Sequence, residues 1–593
     1  MINNNQERFV ARCILVLFLS LSFIAGYASI SRATDDTEED EKKSRELENN
    51  LAQKRDKSPA IILKERLEAF KPKPALPTEK VLIKQLTITG STIVAEEAIT
   101  KLQAIYTNKE LTGQEMQQIV DKFNRAYSRH GYITSYAYIV PEKLSAGTLE
   151  IIVVEGKTGT VTIQGNRNFS TEVIEKRLGQ KEGRLFNFIE VMKGVARINK
   201  HPDRKAKIEL VPTEDGKRTN ITLTVKDKLP MHATLQADNY GAETILYQRY
   251  KLFLTHNNIS GHDDSITAKV EWTQGDAHKI YDLDYIIPLN NTWKYELYIL
   301  PYKSEDYYYK DNKDTDFEKR ARKFYFWFYQ NLISKPDCEL VSSYGFTYFD
   351  IFWYKPYLEY MERTRRDSFR ILKWDLSLNK ADQYGRWVIT NDLQKAMPNT
   401  WGGAPRKSDE SSMVGAKGDY IKNQLSVARR QKLFSGIDFI AKARWQLSSG
   451  TLTGVNAFSV GGYCGVIDNR GYPRTQAPGD AGRAISAGFT FPAYFIPKNT
   501  RIPYSQSKLY DSLKLFTFYD WGQSILKSPK LATVAGDPND KKITTLGSVG
   551  CGFTFNVPDR NLAVRVDCGW PVTHKMGVDG DHFHTWWSVT QGF

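Results

Sequence analysis

Residues 581–593, DHFHTWWSVTQGF, repeat with a period of two. Phe583, Trp587, Val589 and Phe593 fall on one side, and His582, His584, Ser588 and Thr590 fall on the other. A helix repeats every 3.6 residues, so this run presents one apolar and one polar face only as a strand. After the histidines it carries no charge, and its last residue is aromatic. Such a strand demands a sheet with an apolar medium on one side and a polar one on the other.

Composition extends the point. Aromatic residues are 12% of the 593, with 32 Tyr, 29 Phe and 12 Trp, while mean hydropathy is −0.47. That combination suits a barrel with aromatic girdles at two interfaces and excludes a chain made mostly of membrane helices. A terminal strand closing on an aromatic residue resembles the end of bacterial outer-membrane β-barrels. The net charge of +14 admits nucleic acid, a membrane surface or acidic partners. It is spread along the chain, so no nucleic-acid partner is expected.

Arg8 and Arg12 precede an apolar run, Cys13 to Gly26, and then small residues. The pattern predicts a secretory signal peptide over 1–33, cut after Ala28 or Ala33. The alternative, an anchoring helix, would be short for a span, and acidic residues follow at once. Of the five cysteines, Cys13 would leave with the signal, and Cys338, Cys464, Cys551 and Cys568 remain without zinc-ligand spacing. Cys551 and Cys568 fall on neighbouring predicted strands, either as a pair or as two small apolar residues.

Residues 34–57 are charged, acid first and base later, which predicts a polar helix or a disordered tail. Pro59, Pro72, Pro74 and Pro77 make 58–80 an extended linker. Residues 81–156 begin with an alternating strand, Val81 to Thr89. Helical stretches follow, with Phe123 and Tyr127 in helical spacing and Gly131 as terminator, and Leu149 to Val154 closes the unit. Residues 157–228 repeat the plan: a strand at Thr160–Gln164, helices through Ile198, and strands at Ala206–Val211 and Thr219–Val225.

These units are similar to POTRA domains, the first through ITGST, AYSRHGYITSYAYIVPE and GTLEIIVVEG, the second through IQGNRNFS, INKHPDRKAKIELVP and TNITLTVKDK. The pair resembles the two-partner secretion transporters of the haemolysin and filamentous-haemagglutinin family. The resemblance implies α+β periplasmic POTRA domains followed by a transmembrane antiparallel β-barrel. From Leu229 the texture becomes strands and polar loops. LPMHATLQADNYG reads as the first barrel strand, then NNISGHDDSITAKVEWTQ and HKIYDLDYIIPL. The 365 residues of 229–593 allow about sixteen strands. Aromatic-rich strands are expected in 325–350 and 355–380, and an exposed loop over 397–417.

Residues 458–482, FSVGGYCGVIDNRGYPRTQAPGDAG, resemble the long loop of that family. The family's Phe and glycine pair map to Phe458, Gly461 and Gly462, its Arg-Gly-aromatic tip to Arg470, Gly471 and Tyr472, and its Gly-Asp to Gly479 and Asp480. Asn469 stands where the family usually has valine, and the spacing from Gly462 to Arg470 is long. A guanidinium with five donors can hold a loop in a wet lumen by gripping a carboxylate. LFTFYDWGQ supplies one: Phe518, Asp520 and Gly522 share a face and match the family's Phe-x-Asp-x-Gly. A charge facing lipid is costly, so Asp520 should face inward. Otherwise Arg470 is a solvated loop arginine.

Asp581, His582 and His584 could hold a metal, or the histidines are polar lumen residues; no metal is expected there. No nucleophile elbow, phosphate-cradling loop or dinucleotide fingerprint occurs, so neither an enzyme nor a cofactor is expected. The resemblance implies an outer-membrane location with N-terminal domains in the periplasm. Its implied partners are a secreted exoprotein with an N-terminal secretion domain, outer-membrane lipid, and the barrel assembly machinery reading Trp587, Val589 and Phe593. As a helix, residues 34–57 could plug the pore; as a disordered tail they would not. An assembly insertase of the same superfamily, and a porin-like or surface-binding barrel, remain as alternatives.

Overall fold

A computed structural model describes residues 76–593 apart from 242–246, 274–277, 291, 307–316, 336, 358–359, 408–410, 412–415, 463–468, 528–542 and 574–581. The signal segment 1–33, the polar segment 34–57 and most of the linker 58–80 lie outside the described residues, as do Cys13, Cys464 and Asp581. The chain divides into two compact units, one ending at Pro230 and taking in Ser260–Asp263, the other formed by the rest of 231–593.

In the first unit, β1 (Val81–Ile83) and β2 (Gln85–Thr89) precede α1 (Glu96–Tyr106), β3 (Lys109–Leu111), α2 (Gly113–Arg129), β4 (Tyr136–Val140) and β5 (Thr148–Val154). The strand read from Val81 to Thr89 is two strands. The backbone N–H groups of Lys84 and Gln85 both turn to Gly147 O, at 2.8 and 3.3 Å, and break the ladder. β1 then pairs with β3, while β2 runs parallel to β5. β4, unassigned in the sequence reading, completes the sheet antiparallel to β5. α2 starts because Thr112 and Glu115 cap each other reciprocally. Its Met116, Ile119, Val120, Phe123 and Tyr127 recur at three- and four-residue steps and are all buried.

The same plan follows in β6 (Lys157–Gln164), α3 (Thr171–Leu178), α4 (Phe188–Asn199), β7 (Arg204–Pro212) and β8 (Arg218–Asp227). Ser170 caps α3 and Asn187 caps α4. The sheet order is β6-β8-β7, with β6 parallel to β8, so β6 and β7 are edges. Ile174, Leu178, Phe186, Val191, Ile198, Ile221 and Leu223 close a separate core.

The second unit is a closed barrel of sixteen antiparallel strands. They are β9 (Met231–Asp238), β10 (Arg249–His256), β11 (Ser265–Thr273), β12 (His278–Pro288), β13 (Trp293–Asp306), β14 (Phe317–Ser334), β15 (Cys338–Tyr357), β16 (Tyr360–Ala381), β17 (Gly385–Ala396), β18 (Ile421–Lys432) and β19 (Asp438–Ser448). After a short interior ribbon, β20 (Phe458–Val460) and β21 (Ala477–Gly479), the wall continues with β22 (Ala481–Pro492), α5 (Leu509–Ser512) in the turn, β23 (Leu513–Ile525), β24 (Ile543–Val557), β25 (Leu562–Pro571) and β26 (His584–Gly592). β26 pairs with β9 and closes the ring.

The structure adds detail to the strand reading. β10 has no counterpart in the sequence analysis, and Arg249 and Lys251 interrupt its apolar residues. Both are buried and pair inward with Asp238 and Glu271, with Arg249 Nε 2.8 Å from Asp238 Oδ1. The aromatic stretch 325–350 takes in the second half of β14 and the first part of β15, and 355–380 falls mainly on β16. Outside, Leu235, Leu283, Phe324, Phe326, Phe328, Trp445, Phe489, Tyr519, Val549 and Trp570 are exposed on eight strands around the ring. An apolar band of that extent belongs against hydrocarbon. Among the described residues no helix is long and apolar enough to cross a membrane. Cys551 and Cys568 stand directly opposite each other and are both free thiols.

Candidate functional site: the hairpin inside the barrel

After β19 the chain turns into the lumen instead of crossing directly to β22. β20 and β21 pair, with Phe458 opposite Gly479. Gly462 and Asn469 exchange backbone hydrogen bonds at 2.9 and 3.1 Å, which extends the hairpin inward. Gly461 and Gly462 have φ of 123° and 61°, a left-handed turn that glycine adopts without cost. At the root, Asp480 is fully buried. It accepts from Leu452 N at 2.7 Å and Lys527 N at 2.9 Å, so one carboxylate ties three segments of chain. Arg444 lies over the Phe458 ring at 4.5 Å.

Arg470 sits at the inner tip and is 5% exposed, among carboxylates that are not exposed at all. Its Nε and Nη2 donate to the two oxygens of Asp520, each at 2.8 Å, and its backbone N–H reaches Asp520 Oδ2 at 3.1 Å. Its Nη1 donates to Asp567 Oδ1 at 2.9 Å, and its guanidinium lies 3.4 Å from the Phe518 centroid. Ser486 Oγ donates to Asp520 Oδ1 at 2.7 Å, and Arg565 Nε to Asp567 Oδ2 at 2.8 Å. Two cations and two anions therefore close on each other, which is how buried charge is tolerated. A fork-on-fork grip also fixes direction, so the tip cannot pivot about one bond.

Alternation along β23 aims the partners inward: Phe516, Phe518, Asp520 and Ser524 are buried while Tyr519 is exposed. Small residues let the tip approach. A Cβ on Gly569 would lie 2.5 Å from the Arg470 carbonyl, and one on Gly471 2.5 Å from Ser548 Cβ. Gly522 leaves room for Val460. Tyr472 is fully buried and its hydroxyl donates to Gly547 O at 3.2 Å.

Phe458, Gly461, Gly462, Arg470, Gly471, Tyr472, Gly479, Asp480, Phe518, Asp520 and Gly522 thus share one interior assembly. Trp587, Val589 and Phe593 stand apart from it on β26 and its end, with Val589 and Phe593 exposed. Four participants went unread in the sequence: Ser486, Asp567, Arg565 and Trp586. Trp586 Nε1 donates to Arg470 O at 2.8 Å, and its neighbour His584 stacks on its ring. A signal for Asp567 did exist. Asp567-Cys568-Gly569 repeats the Asp-x-Gly of Asp520-Trp521-Gly522, with the same inward parity.

The POTRA domain family of ShlB type matches residues 81–156. The outer membrane transporter CdiB of Dickeya dadantii is 25% identical over 182 residues, 31% of this chain and 32% of that protein. This chain therefore aligns with about a third of the length of that relative. The heme/hemopexin transporter protein HuxB of Haemophilus influenzae is 20% identical over 509 residues, covering 84% of this chain and 85% of its own. The solved structure of CdiB from Escherichia coli superposes with a TM-score of 0.70 at 18% identity, over 95% of this chain and all of that one. That likeness extends to the whole architecture, a POTRA region followed by a closed sixteen-stranded barrel. The barrel is an outer-membrane one and the POTRA region is periplasmic.

Proposed function

We propose that the chain is a POTRA-bearing outer-membrane barrel of the two-partner secretion type and that it moves a partner exoprotein from the periplasm to the cell surface. The observation that carries this reading is a ShlB-type POTRA unit on the same chain as a sixteen-stranded barrel whose lumen holds an anchored hairpin. A porin has no use for the first, and a plain diffusion pore has no use for the second. The exoprotein arrives extended, with an N-terminal secretion domain, and adds as a strand to an open POTRA edge such as β6. Its passage requires displacement of the hairpin from the lumen, with Arg470, Asp520 and Asp567 setting how firmly that hairpin is held. Folding outside biases the direction, and no nucleotide or cofactor is needed. The barrel assembly machinery inserts the chain, reading β26 with Trp587, Val589 and Phe593.

The test is co-expression with a large exported protein, sought among the neighbouring genes, in cells lacking both. Surface proteolysis of that exoprotein should require this chain, and deletion of 81–156 should leave the exoprotein in the periplasm. An exoprotein that reaches the surface equally well without the chain would remove the reading. Loss of other outer-membrane barrels on depletion would point instead to an insertase.

A further inference from the structure

Among the described residues, the closing seam of the barrel is its shortest strand pairing. β26 meets β9 over five residues, Ser588–Gly592 against Asp238–Thr234, whereas β9 meets β10 over eight and β15 meets β16 over twenty. Beyond those five, one backbone bond follows at each end, Asn239 N to Trp587 O at 3.2 Å and Phe593 N to Ala233 O at 2.8 Å, and the Asn239 side chain adds to them. Asn239 Nδ2 donates to Thr585 O at 2.8 Å, and Trp587 N donates to Asn239 Oδ1 at 2.7 Å. A ladder this short gives little cooperative resistance to opening, since each pair adds only a small net free energy.

The interior hairpin touches both sides of this seam. Arg470 O accepts from Trp586 on β26 at 2.8 Å. Four residues on, Arg474 donates from Nη1 to Tyr240 O, just past β9, at 2.6 Å. Arg474 is 8% exposed, and the Tyr240 and Trp586 rings lie 6.3 Å apart across the seam. The sequence reading had no role for Arg474 or Trp586, and the Arg470–Asp520 grip needs neither.

We propose that the interior hairpin is also the inner clasp of the β9–β26 seam, with Arg474 and Trp586 as its two positioning residues. Arg470 locks the hairpin to the β22–β25 wall, and the hairpin then holds β26 and the end of β9 together. Withdrawal of the hairpin and loosening of the seam are on this account one event. A charge-assisted bond to a carbonyl is suited to the task, because it holds the backbone itself where the chain leaves β9. The inference rests on the interior geometry alone and does not require the transport reading.

The test uses the full chain, with its cysteines replaced by serine, in liposomes. Spin labels go on Ala237 and Val589, which face each other across the seam. A control pair goes on Val549 and Trp570, which face each other across β24 and β25. Dipolar broadening should report a short distance for both pairs. Arg474→Ala should shift a large fraction of the seam pair to longer distances and leave the control pair unchanged, and Arg474→Lys should restore much of the short distance. Should Arg474→Ala fail to fold, Trp586→Phe removes only the indole donor and should give a smaller shift of the same kind. An unchanged seam distance in folded Arg474→Ala or Trp586→Phe overturns the proposal. Equal shifts in both pairs overturn it too, because the effect would then be general loosening of the barrel.

Discussion

Arg470 and Asp567 meet through a 2.9 Å hydrogen bond although ninety-seven positions separate them along the chain. Asp520 takes the bidentate share of the same guanidinium, while Asp567 keeps Arg565 as a second partner. The two carboxylates are therefore unequal. Asp520→Asn should impair secretion more than Asp567→Asn. Arg470→Ala should exceed both, because it strands buried charge at a cost of about 3–5 kcal/mol. Arg470→Ala combined with Asp520→Ala should lose little beyond Arg470→Ala alone. Surface exoprotein measured alongside heat-modifiable barrel mobility checks the order, and fully additive losses would mean that the residues act separately.

Gly569 offers a test of docking that changes no charge. Its missing Cβ makes room for the Arg470 carbonyl at 2.5 Å, a backbone neighbour that cannot swing aside. Gly569→Ala should displace the hairpin by overpacking, at about 1–3 kcal/mol. The expected result is raised conductance in planar bilayers and faster tryptic cleavage at Arg470 and Arg474, with the barrel still heat-modifiable. Conductance and cleavage that match the unmodified chain would show that the tip tolerates the methyl group.

The two-residue period made the barrel legible, because inward and outward faces meet different media along each strand. Strand number followed from length, and Asp520 from its parity with Phe518. What escaped the sequence depended on closure. Trp586 looks apolar on the polar face of β26, and only the ring geometry places it under Arg470 O. β10 escaped because its buried Lys251 and Arg249 are compensated by Glu271 and Asp238 on other strands. Such partners come from register across strands, which no local pattern encodes. In the POTRA region the break at Lys84 was invisible for the same reason: Gly147 O causes it from sixty residues away.

Glu155 gives the first POTRA unit a defined acid sensitivity. Burial tends to raise its pKa, but hydrogen bonds from Thr92 and Tyr127 outweigh burial and hold it below its ordinary 4.5. Burial, with Glu155 beside it, pushes the Tyr127 hydroxyl up to about 12, so that group stays a donor throughout the neutral range. A depressed folded-state carboxyl stabilises above its unfolded pKa, and that stability is lost as pH falls through the folded value. Glu155→Gln should therefore weaken protection of 81–156 by under about 1 kcal/mol at pH 7, since the group is largely solvated. The difference from the unmodified chain should shrink as pH falls below 4.5 and vanish once pH is below the depressed folded-state value. Amide hydrogen exchange on acidification reads both, and a difference that does not shrink as the pH falls would assign the effect to packing.

The substrate edge is testable because β6 lies at the margin of its sheet. Thr160 N–H points toward β8, where it donates to Asn220 Oδ1 at 2.9 Å. Successive N–H groups of a strand alternate sides, so those of Val161 and Ile163 point away from β8, toward the open edge. Proline is tolerated at an edge position whose N–H faces outward, and it removes one donor there. Val161→Pro and Ile163→Pro should each weaken exoprotein binding about three- to tenfold, the worth of one net backbone hydrogen bond. Thr162→Pro should instead break the ladder to β8 and destabilise the unit itself. Binding of the exoprotein's secretion domain to the full chain in detergent, with amide exchange as the check on folding, separates these outcomes. If both outward prolines leave affinity unchanged in a folded unit, the exoprotein does not add to β6, and β7, β2 and β4 become the edges to test.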